Sequence, residues 1–394
     1  MREPECNLRS GHGADVTDSQ PERRPIRVTL FIDSLGPGGA QRQMSLLAVL
    51  LKRRGYDVDV LTYRPLRFFD DEVEAAGVPV RRVGSGKLLR PFAVRRALRE
   101  RAPDAVIAFL DGPNVYAELS GLPSRRFALI VSERSVRPGV SMKDRIRLLL
   151  HRTADAIVAN SEQGRRHLLR NAPWLADKVE VILNGVELDR FRPAVKPATG
   201  TRETRVLVLA RYEAPKNPTG MLAAMEWLRR NAPTAPISLD WYGRIHVVDG
   251  RPGPLARVHL ELQHAIRDQE LGNTFRLHDA VKDVVALYRG ASLVCLPSHH
   301  EGCSNVVCEA LASGVPVVAS DVCDNRTLVI DGETGFLCDP TVPRTIAEAI
   351  LKIHAMPDEE KRKMGRRARA HAEALLSPRR FAASYATLVD RLVS

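Results

Sequence analysis

A chain of 394 residues is long enough for two or three domains, each with an ample core. Its 44% hydrophobic and 27% charged residues are ordinary for a soluble globular protein. No apolar run reaches the roughly 18 residues of a membrane span, and the N-terminus lacks the apolar centre of a secretion signal. The net charge of +12 is concentrated early, with 33 Lys+Arg against 24 Asp+Glu in residues 1–194 and 26 against 23 after them. With 5% aromatic residues and no base-reading motif, nucleic acid is a poor match for that charge.

Residues 1–24 are polar, contain Gly and Pro and show no periodicity, so they read as a disordered tail. From residue 25 short β-branched runs alternate with helical patterns, the signature of parallel sheets wrapped by helices. Strands are predicted at 26–33, 58–63, 78–83, 105–110, 128–132, 156–160 and 179–183. The helix after the first strand repeats apolar residues at Met44, Leu47, Ala48 and Leu51 and stops at Gly55. A first domain at 25–190 is followed by a linker at 191–204 carrying Pro193, Pro197 and Gly200. A second domain at 205–377 restarts the pattern, with strands at 205–210, 237–242, 274–277, 293–297, 316–319 and 335–338. Arg-rich helices close the chain at about 343–375 and 378–393, and the segment 378–394 is a candidate to cross back to the first domain. Two doubly wound domains of similar size leave a cleft between the carboxyl ends of their sheets.

The first strand runs into Asp33-Ser-Leu-Gly-Pro-Gly-Gly-Ala-Gln-Arg42. Such a loop is a tight turn, a phosphate or sugar contact from Gly38, Gly39 or Ala40, or a dinucleotide site. The last fits poorly: Gln41 stands where a third glycine belongs, and the second strand ends Leu61-Thr-Tyr-Arg64 without an acid. Two basic clusters follow. One comprises Lys87, Arg90, Arg95, Arg96, Arg99 and Arg101; the other, Lys143, Arg145, Arg147 and Arg152, is interleaved with Ile146 and Leu148–Leu150. Each is a solvated helix face, or a surface for an anionic membrane or a diphosphate-bearing acceptor.

In the second half, Arg211 sits just past the first strand and Lys216 lies near the next helix start. Two cations at the mouth of a sheet suit a diphosphate, Arg as a fork and Lys as a point charge. Residues 298–309, Ser-His-His-Glu-Gly-Cys-Ser-Asn-Val-Val-Cys-Glu, put Glu301 in a loop and Glu309 in the helix that follows. Ser304 or Asn305 is the N-cap, and the free N–H groups behind it make an anion site. An acid on either side of an anion site suits a ligand with phosphate in the middle and hydroxyl-rich sugars at both ends, as in a sugar nucleotide. Asn184-Gly185-Val186 and Asp331-Gly-Glu-Thr-Gly-Phe336 read mainly as turns. His299 and His300 lack further ligands close by, so neither metal nor cofactor is expected. The six cysteines form no Cys-x-x-Cys pair and read as buried, reduced thiols of a cytosolic protein.

In this order the pieces resemble glycosyltransferase family 4. The resemblance rests on Gly38-Gly39-Ala40-Gln41-Arg42, on Asn184-Gly185-Val186 with Asp189, Phe191 and Pro193, on Arg211 with Lys216, and on Asp331-Gly332 with Gly335. Above all it rests on Pro297-Ser298-x-x-Glu301-Gly302 leading to Glu309-Ala310, the family's Glu-x7-Glu motif. It implies the GT-B fold, an α/β architecture of two doubly wound Rossmann-like domains facing each other across a cleft. It also implies retaining transfer of a hexose or N-acetylhexosamine from a nucleotide sugar donor to a glycan or lipid-linked acceptor, without a metal. By the same resemblance Glu301 lies against the transferred sugar and Glu309 holds the ribose. Arg211, Lys216 and the N–H groups of Ser304, Asn305 and Val306 cradle the diphosphate, which Gly39 approaches from the other domain. A sugar-nucleotide epimerase or phosphorylase on the same fold, and a non-catalytic glycan- or lipid-binding protein, are the rival readings.

The chain departs from the family at Ala210, where many members have Gly. Many also carry a His after the fourth strand of the first domain; here that region reads Val131-Ser-Glu-Arg-Ser-Val-Arg-Pro138. Glu133 and Arg134 are therefore the acceptor-side candidates, or else a surface salt-bridging pair. The Ser-Glu-Arg version is similar to members that extend lipid-linked glycans, which places the expected protein in the cytoplasm, peripheral on the inner face of the membrane.

Overall fold

The computed structural model describes residues 24–134, 139, 141–194, 203–244, 247–248, 251–252, 254–281 and 283–394. The expected tail at 1–24, except Arg24, and most of the 191–204 linker lie outside these residues.

Seven strands form the first sheet: β1 (Arg27–Phe31), β2 (Asp57–Thr62), β3 (Val80–Arg82), β4 (Ala105–Phe109), β5 (Ala128–Glu133), β6 (Ala156–Ala159) and β7 (Val179–Val181). All pair parallel, in the order β3-β2-β1-β4-β5-β6-β7. Helices cover both faces, so central strands are apolar throughout rather than alternating; Ala-Val-Ile-Ala-Phe of β4 is buried at every position. The chain lays down β1 to β3 in one direction and then returns to the other side of β1 for β4. The loops after β1 and β4 therefore part and open a crevice.

The second domain repeats the plan with β8 (Thr204–Leu209), β9 (Ile237–Tyr242), β12 (Phe275–His278), β13 (Leu293–Leu296), β14 (Val317–Ser320) and β15 (Gly335–Cys338). Their order is β12-β9-β8-β13-β14-β15, again parallel, and the reversal falls between β8 and β13. A short antiparallel hairpin, β10 (Val247–Val248) with β11 (Arg251–Pro252), lies between β9 and β12. Two-residue strands are too short to leave a periodic signal, and the sequence reading missed this hairpin.

The expected helix at 343–375 is two helices, Pro343–Ala355 and Asp358–Leu375. Pro357 holds the preceding Met356 in extended backbone (ψ 142°), and Asp358, Glu359 and Glu360 favour a new helix start. The last helix, Pro378–Val393, packs on the first domain. Its Phe381, Tyr385, Leu388 and Val389 share a core with Met44, Leu47 and Leu51 of the helix Gly39–Arg53. Each large side chain so buried contributes about 1.5–3 kcal/mol, enough to tie the second domain's C-terminal segment to the first domain.

Candidate donor and acceptor sites

Glu301 lies in the loop after β13, and Lys216 in the loop after β8, on the two sides of the second domain's switch point. Lys216 Nζ is 2.7 Å from Glu301 Oε1, and the Ser298 hydroxyl donates to the same oxygen at 2.7 Å. Asn217 sets this contact. It ends the 3-10 turn Ala214–Lys216 with φ +59°, and its amide donates to the carbonyls of Pro297 (3.0 Å) and Pro340 (2.7 Å). Its oxygen caps the helix Pro218–Asn231 through the Gly220 N–H at 3.0 Å. The sequence reading passed over Asn217, although an Asn before Pro is a recognisable helix-start signal. Arg211 does not join the cluster: its side chain is 62% exposed and pairs with Glu213 at 2.8 Å.

Ser304 is the cap of the helix Asn305–Ala312, its hydroxyl accepting from the Val307 N–H at 3.5 Å. About 7.5 Å of helix rise separates Ser304 from Glu309. Glu309 is buried, with Arg42 Nη1 of the first domain 3.1 Å from one carboxylate oxygen and the Tyr288 hydroxyl donating to the other at 2.8 Å. Burial pushes the Glu309 carboxyl above its ordinary value, against the pull of Arg42 and Tyr288. The Arg42 guanidinium also lies over the rings of Phe69 (5.8 Å) and Phe191 (5.9 Å). Arg42 stood at the end of the glycine-rich motif, but glycine spacing drew attention away from it.

Asn305 joins the domains. Its amide nitrogen donates to the Gly39 carbonyl at 3.1 Å, and its oxygen accepts from Asn184 (2.6 Å) and Gln43 (3.2 Å). Gln43 in turn brackets the Gly185 peptide with two 2.9 Å hydrogen bonds. A Cβ at Gly39 would meet the Asn305 amide nitrogen at 2.8 Å, and one at Gly302 would meet the Arg134 carbonyl at 2.9 Å, so glycines stand where the two halves touch. Asn184-Gly185, read from sequence mainly as a turn, reaches across the cleft instead; Asn184 also donates to the Cys303 carbonyl at 2.9 Å. Asp324 adds a further tie by accepting from the N–H groups of Glu162 and Gln163 at the start of the helix Glu162–Asn171.

On the acceptor side the sequence reading misplaced one segment. Val131–Glu133 belongs to β5, the fifth strand, whereas the stretch after the fourth is Leu110-Asp111-Gly112-Pro113-Asn114. It also lacks a histidine, and its entry is strained at Leu110, with φ +81°. Glu133 is no exposed salt bridge. Its carboxylate accepts from Arg147, from His151 Nε2 at 3.1 Å and from Asn114 at 3.4 Å, while His151 Nδ1 lies 2.6 Å from Glu118. Burial opposes charge on His151, but its bonds to Glu118 and Glu133 outweigh burial and lift the imidazole to about 9. Burial likewise opposes the Glu133 charge, yet His151 and Arg147 hold its carboxyl down to about 2. Arg134 is turned inward over Phe109 (4.3 Å) and bonds Asn184. Glu133 and Arg134 are thus both held within the protein, although Nη1 of Arg134 is buried without a hydrogen-bond partner. Among the described residues no group of three or more His, Cys, Asp or Glu is arranged to hold a metal ion, and no helix is long and apolar enough to cross a membrane.

Two facing doubly wound sheets with polar clusters at both switch points define the GT-B class of fold. The family described as Glycosyl transferases group 1 matches residues 191–371, and Glycosyltransferase Family 4 matches residues 37–190. The chain belongs to this glycosyltransferase family. The D-inositol 3-phosphate glycosyltransferase of Nocardia farcinica is 32% identical over 232 residues, covering 56% of this chain and 49% of that protein, so the chain spans about half the length of such relatives. The putative glycosyltransferase EpsF of Bacillus subtilis is 27% identical over 319 residues, covering 75% of this chain and 79% of EpsF. Among solved structures, a glycosyltransferase from Rickettsia africae superposes with a TM-score of 0.81 at 16% identity, over 94% of this chain and 100% of that one. Anabaena HepE in complex with UDP and glucose gives 0.80 at 19% identity, over 93% and 100%. At those identities the likeness is one of fold.

Proposed function

We propose that the protein is a retaining glycosyltransferase that moves a hexose or N-acetylhexosamine from a nucleotide diphosphate sugar to a growing glycan, lipid-linked or part of a cell-surface polysaccharide. One observation carries the reading: Lys216 and Glu301 meet at 2.7 Å beside a capped helix N-terminus, at the switch point facing Gly39 of the other domain. In this reading the N–H groups of Ser304, Asn305 and Val306 take the diphosphate, with Lys216 and the exposed Arg211 as counter-charge. Donor binding frees Glu301 from Lys216 to face the transferred sugar and its developing positive charge. Glu309 serves the ribose while Arg42 and Tyr288 fix its orientation. Positive charge on the protein meets the leaving diphosphate, so no metal is required. Glu133 and Arg134 act indirectly, by holding the acceptor-side rim. The enzyme works in the cytoplasm, peripheral on the inner face of the membrane.

UDP-sugars are the first donors to test, because HepE was crystallised with UDP and UDP-glucose. The experiment is a donor screen reading nucleotide diphosphate release across UDP-, GDP- and ADP-sugars, with and without a glycan acceptor extract and a chelator. Release that needs both donor and acceptor and survives the chelator is expected. A new sugar nucleotide formed without acceptor would mean an epimerase, phosphate-dependent reversal a phosphorylase, and no turnover with any donor a binding protein.

A further inference from the structure

The motif's two glutamates enclose two cysteines in contact. Cys303 precedes the Ser304 cap and Cys308 is the fourth residue of the helix, the two positions whose side chains commonly clasp as a hydrophobic staple at a helix entry. Here both are thiols, with Sγ atoms 3.7 Å apart, Cys308 fully buried and Cys303 nearly so. Around Cys303, Arg134 favours a negative charge and Asp324 opposes it. The helix N-terminus lies beside it, the Asn184 N–H points at its sulfur, and the Arg134 guanidinium is near, with Nη1 buried and lacking a hydrogen-bond partner. The Cys308 S–H, these groups and the loss of solvent compete, and the outcome draws the Cys303 thiol below its ordinary value while Cys308 is pushed up. Cys295 and Cys338, which line the sheet, are instead both pushed up by burial. A thiol drawn below its ordinary value and touching a second thiol is the arrangement of an attacking and a resolving cysteine. The wall over Cys303 belongs to the first domain: Asn184 bonds its carbonyl, and Gly302 abuts Arg134 and Asn160. A peroxide molecule would reach the sulfur where that wall parts.

We propose that Cys303 and Cys308 form an oxidative modification site inside the donor motif, converted by hydrogen peroxide to an intrachain disulfide. The Cys303 thiolate attacks the peroxide O–O bond, forming the sulfenic acid and releasing hydroxide, which takes up a proton as water. Cys308 then attacks that sulfur, the S–O bond breaks, and a second water leaves. Two thiols lose two electrons and two protons, and one peroxide becomes two waters. An S–S bond of about 2.05 Å draws the sulfurs together by about 1.7 Å. That shift pulls on the backbone between Gly302 and Ser304, which carries Glu301 on one side and Asn305 on the other. The oxidised form loses the donor site, and a dithiol restores it.

This rests on the proposed transferase only for its activity readout. The full chain is treated with hydrogen peroxide and mapped by mass spectrometry without reduction, and transfer is measured before treatment, after it, and after dithiothreitol. A Cys303–Cys308 disulfide in most molecules is expected, with transfer reduced at least tenfold and regained on reduction. Cys303→Ala and, should it fold poorly, Cys303→Ser should each keep their own untreated rate through the same exposure. Both thiols still free, a disulfide to Cys323, or equal inactivation of the Cys303 variants would overturn the proposal. Peptide mapping decides the pair even where no donor turns over.

Discussion

Lys216 Nζ and Glu301 Oε1, 2.7 Å apart, close the gap between the loops that leave β8 and β13 on either side of the sheet reversal. Each side chain is the other's counter-ion, and Ser298 is the carboxylate's second partner. Removing one charge leaves the other largely buried. If Glu301 serves the sugar, Glu301→Gln keeps shape and hydrogen bonding but lowers kcat by at least about 100-fold, with an unchanged circular dichroism spectrum. Lys216→Ala removes a charged hydrogen bond worth about 1.5–3 kcal/mol, so the Kd for the donor's nucleoside diphosphate rises about tenfold or more by calorimetry. Near-normal turnover of the first variant, or an unchanged Kd for the second, refutes the respective role.

The Arg42–Glu309 pair makes a different kind of prediction, because it crosses between domains and is buried. Arg42→Gln leaves Glu309 with Tyr288 alone, and breaking one side of a buried pair costs about 3 kcal/mol. The loss should depend on pH. Burial already raises the Glu309 carboxyl, and without Arg42 it rises further. A raised folded value means that protonation relieves the variant, so the gap in Tm to the parent narrows as pH falls from 8 to 5. A gap that stays constant would show that Glu309 is already neutral beside Arg42.

Much of this site was legible because its chemistry is local. Glu301, Ser304, Asn305 and Glu309 occupy one strand-loop-helix unit, whose spacing alone places acids on either side of a helix start. The apolar runs of both sheets were legible for a similar reason: strands buried on both faces are unbroken in sequence. What escaped were contacts between distant segments. Arg42 and Glu309 are 267 positions apart, and Asn305 meets Gly39 across 266. Nothing in the spacing of either residue names its partner. The surroundings of Glu133 were out of reach for the same reason, since the His151 that holds it comes from a later turn and carries no motif.

That buried network should be visible in the pH dependence of stability. Glu118, Glu133 and Arg147, with Asp111 and Asp144 beyond, are the charged groups around His151. The imidazole is raised from 6.5 to about 9, so its contribution is complete below about 6.5 and is lost as pH rises through about 9. Glu133 is lowered from 4.5 to about 2, so its contribution holds above about 4.5 and is lost on acidification toward 2. Glu118, raised by burial, works against its neighbours at high pH. The native Tm should fall between pH 6.5 and 9. His151→Gln, costing about 3 kcal/mol at pH 6, should erase that slope relative to the parent. Parallel Tm curves for the two proteins would mean that His151 is neutral in the folded state.

The basic clusters lead to a prediction about location, because the structure sets exposed apolar side chains among them. Leu88 is 91% exposed, Phe92 71% and Met142 70%, beside Lys87, Arg95 and Arg96 in one region and Lys143 and Arg145 in the other. They stand at the N-terminal ends of the helices Arg90–Arg101 and Met142–Leu150, which flank the helix Asp111–Ser120 on one face of the first sheet. That edge of the sheet is the cleft edge, where a lipid-linked acceptor would enter. Each inserted Leu, Phe or Met contributes about 1.5–3 kcal/mol when fully buried, and each Lys or Arg about 1 kcal/mol against an anionic surface. The protein should float with vesicles containing phosphatidylglycerol and much less with phosphatidylcholine alone. The double substitution Leu88→Ser with Phe92→Ser should weaken flotation at least tenfold while leaving the far-ultraviolet spectrum unchanged. Equal flotation of parent and variant, or indifference to lipid charge, would leave the two clusters as ordinary solvated helix faces.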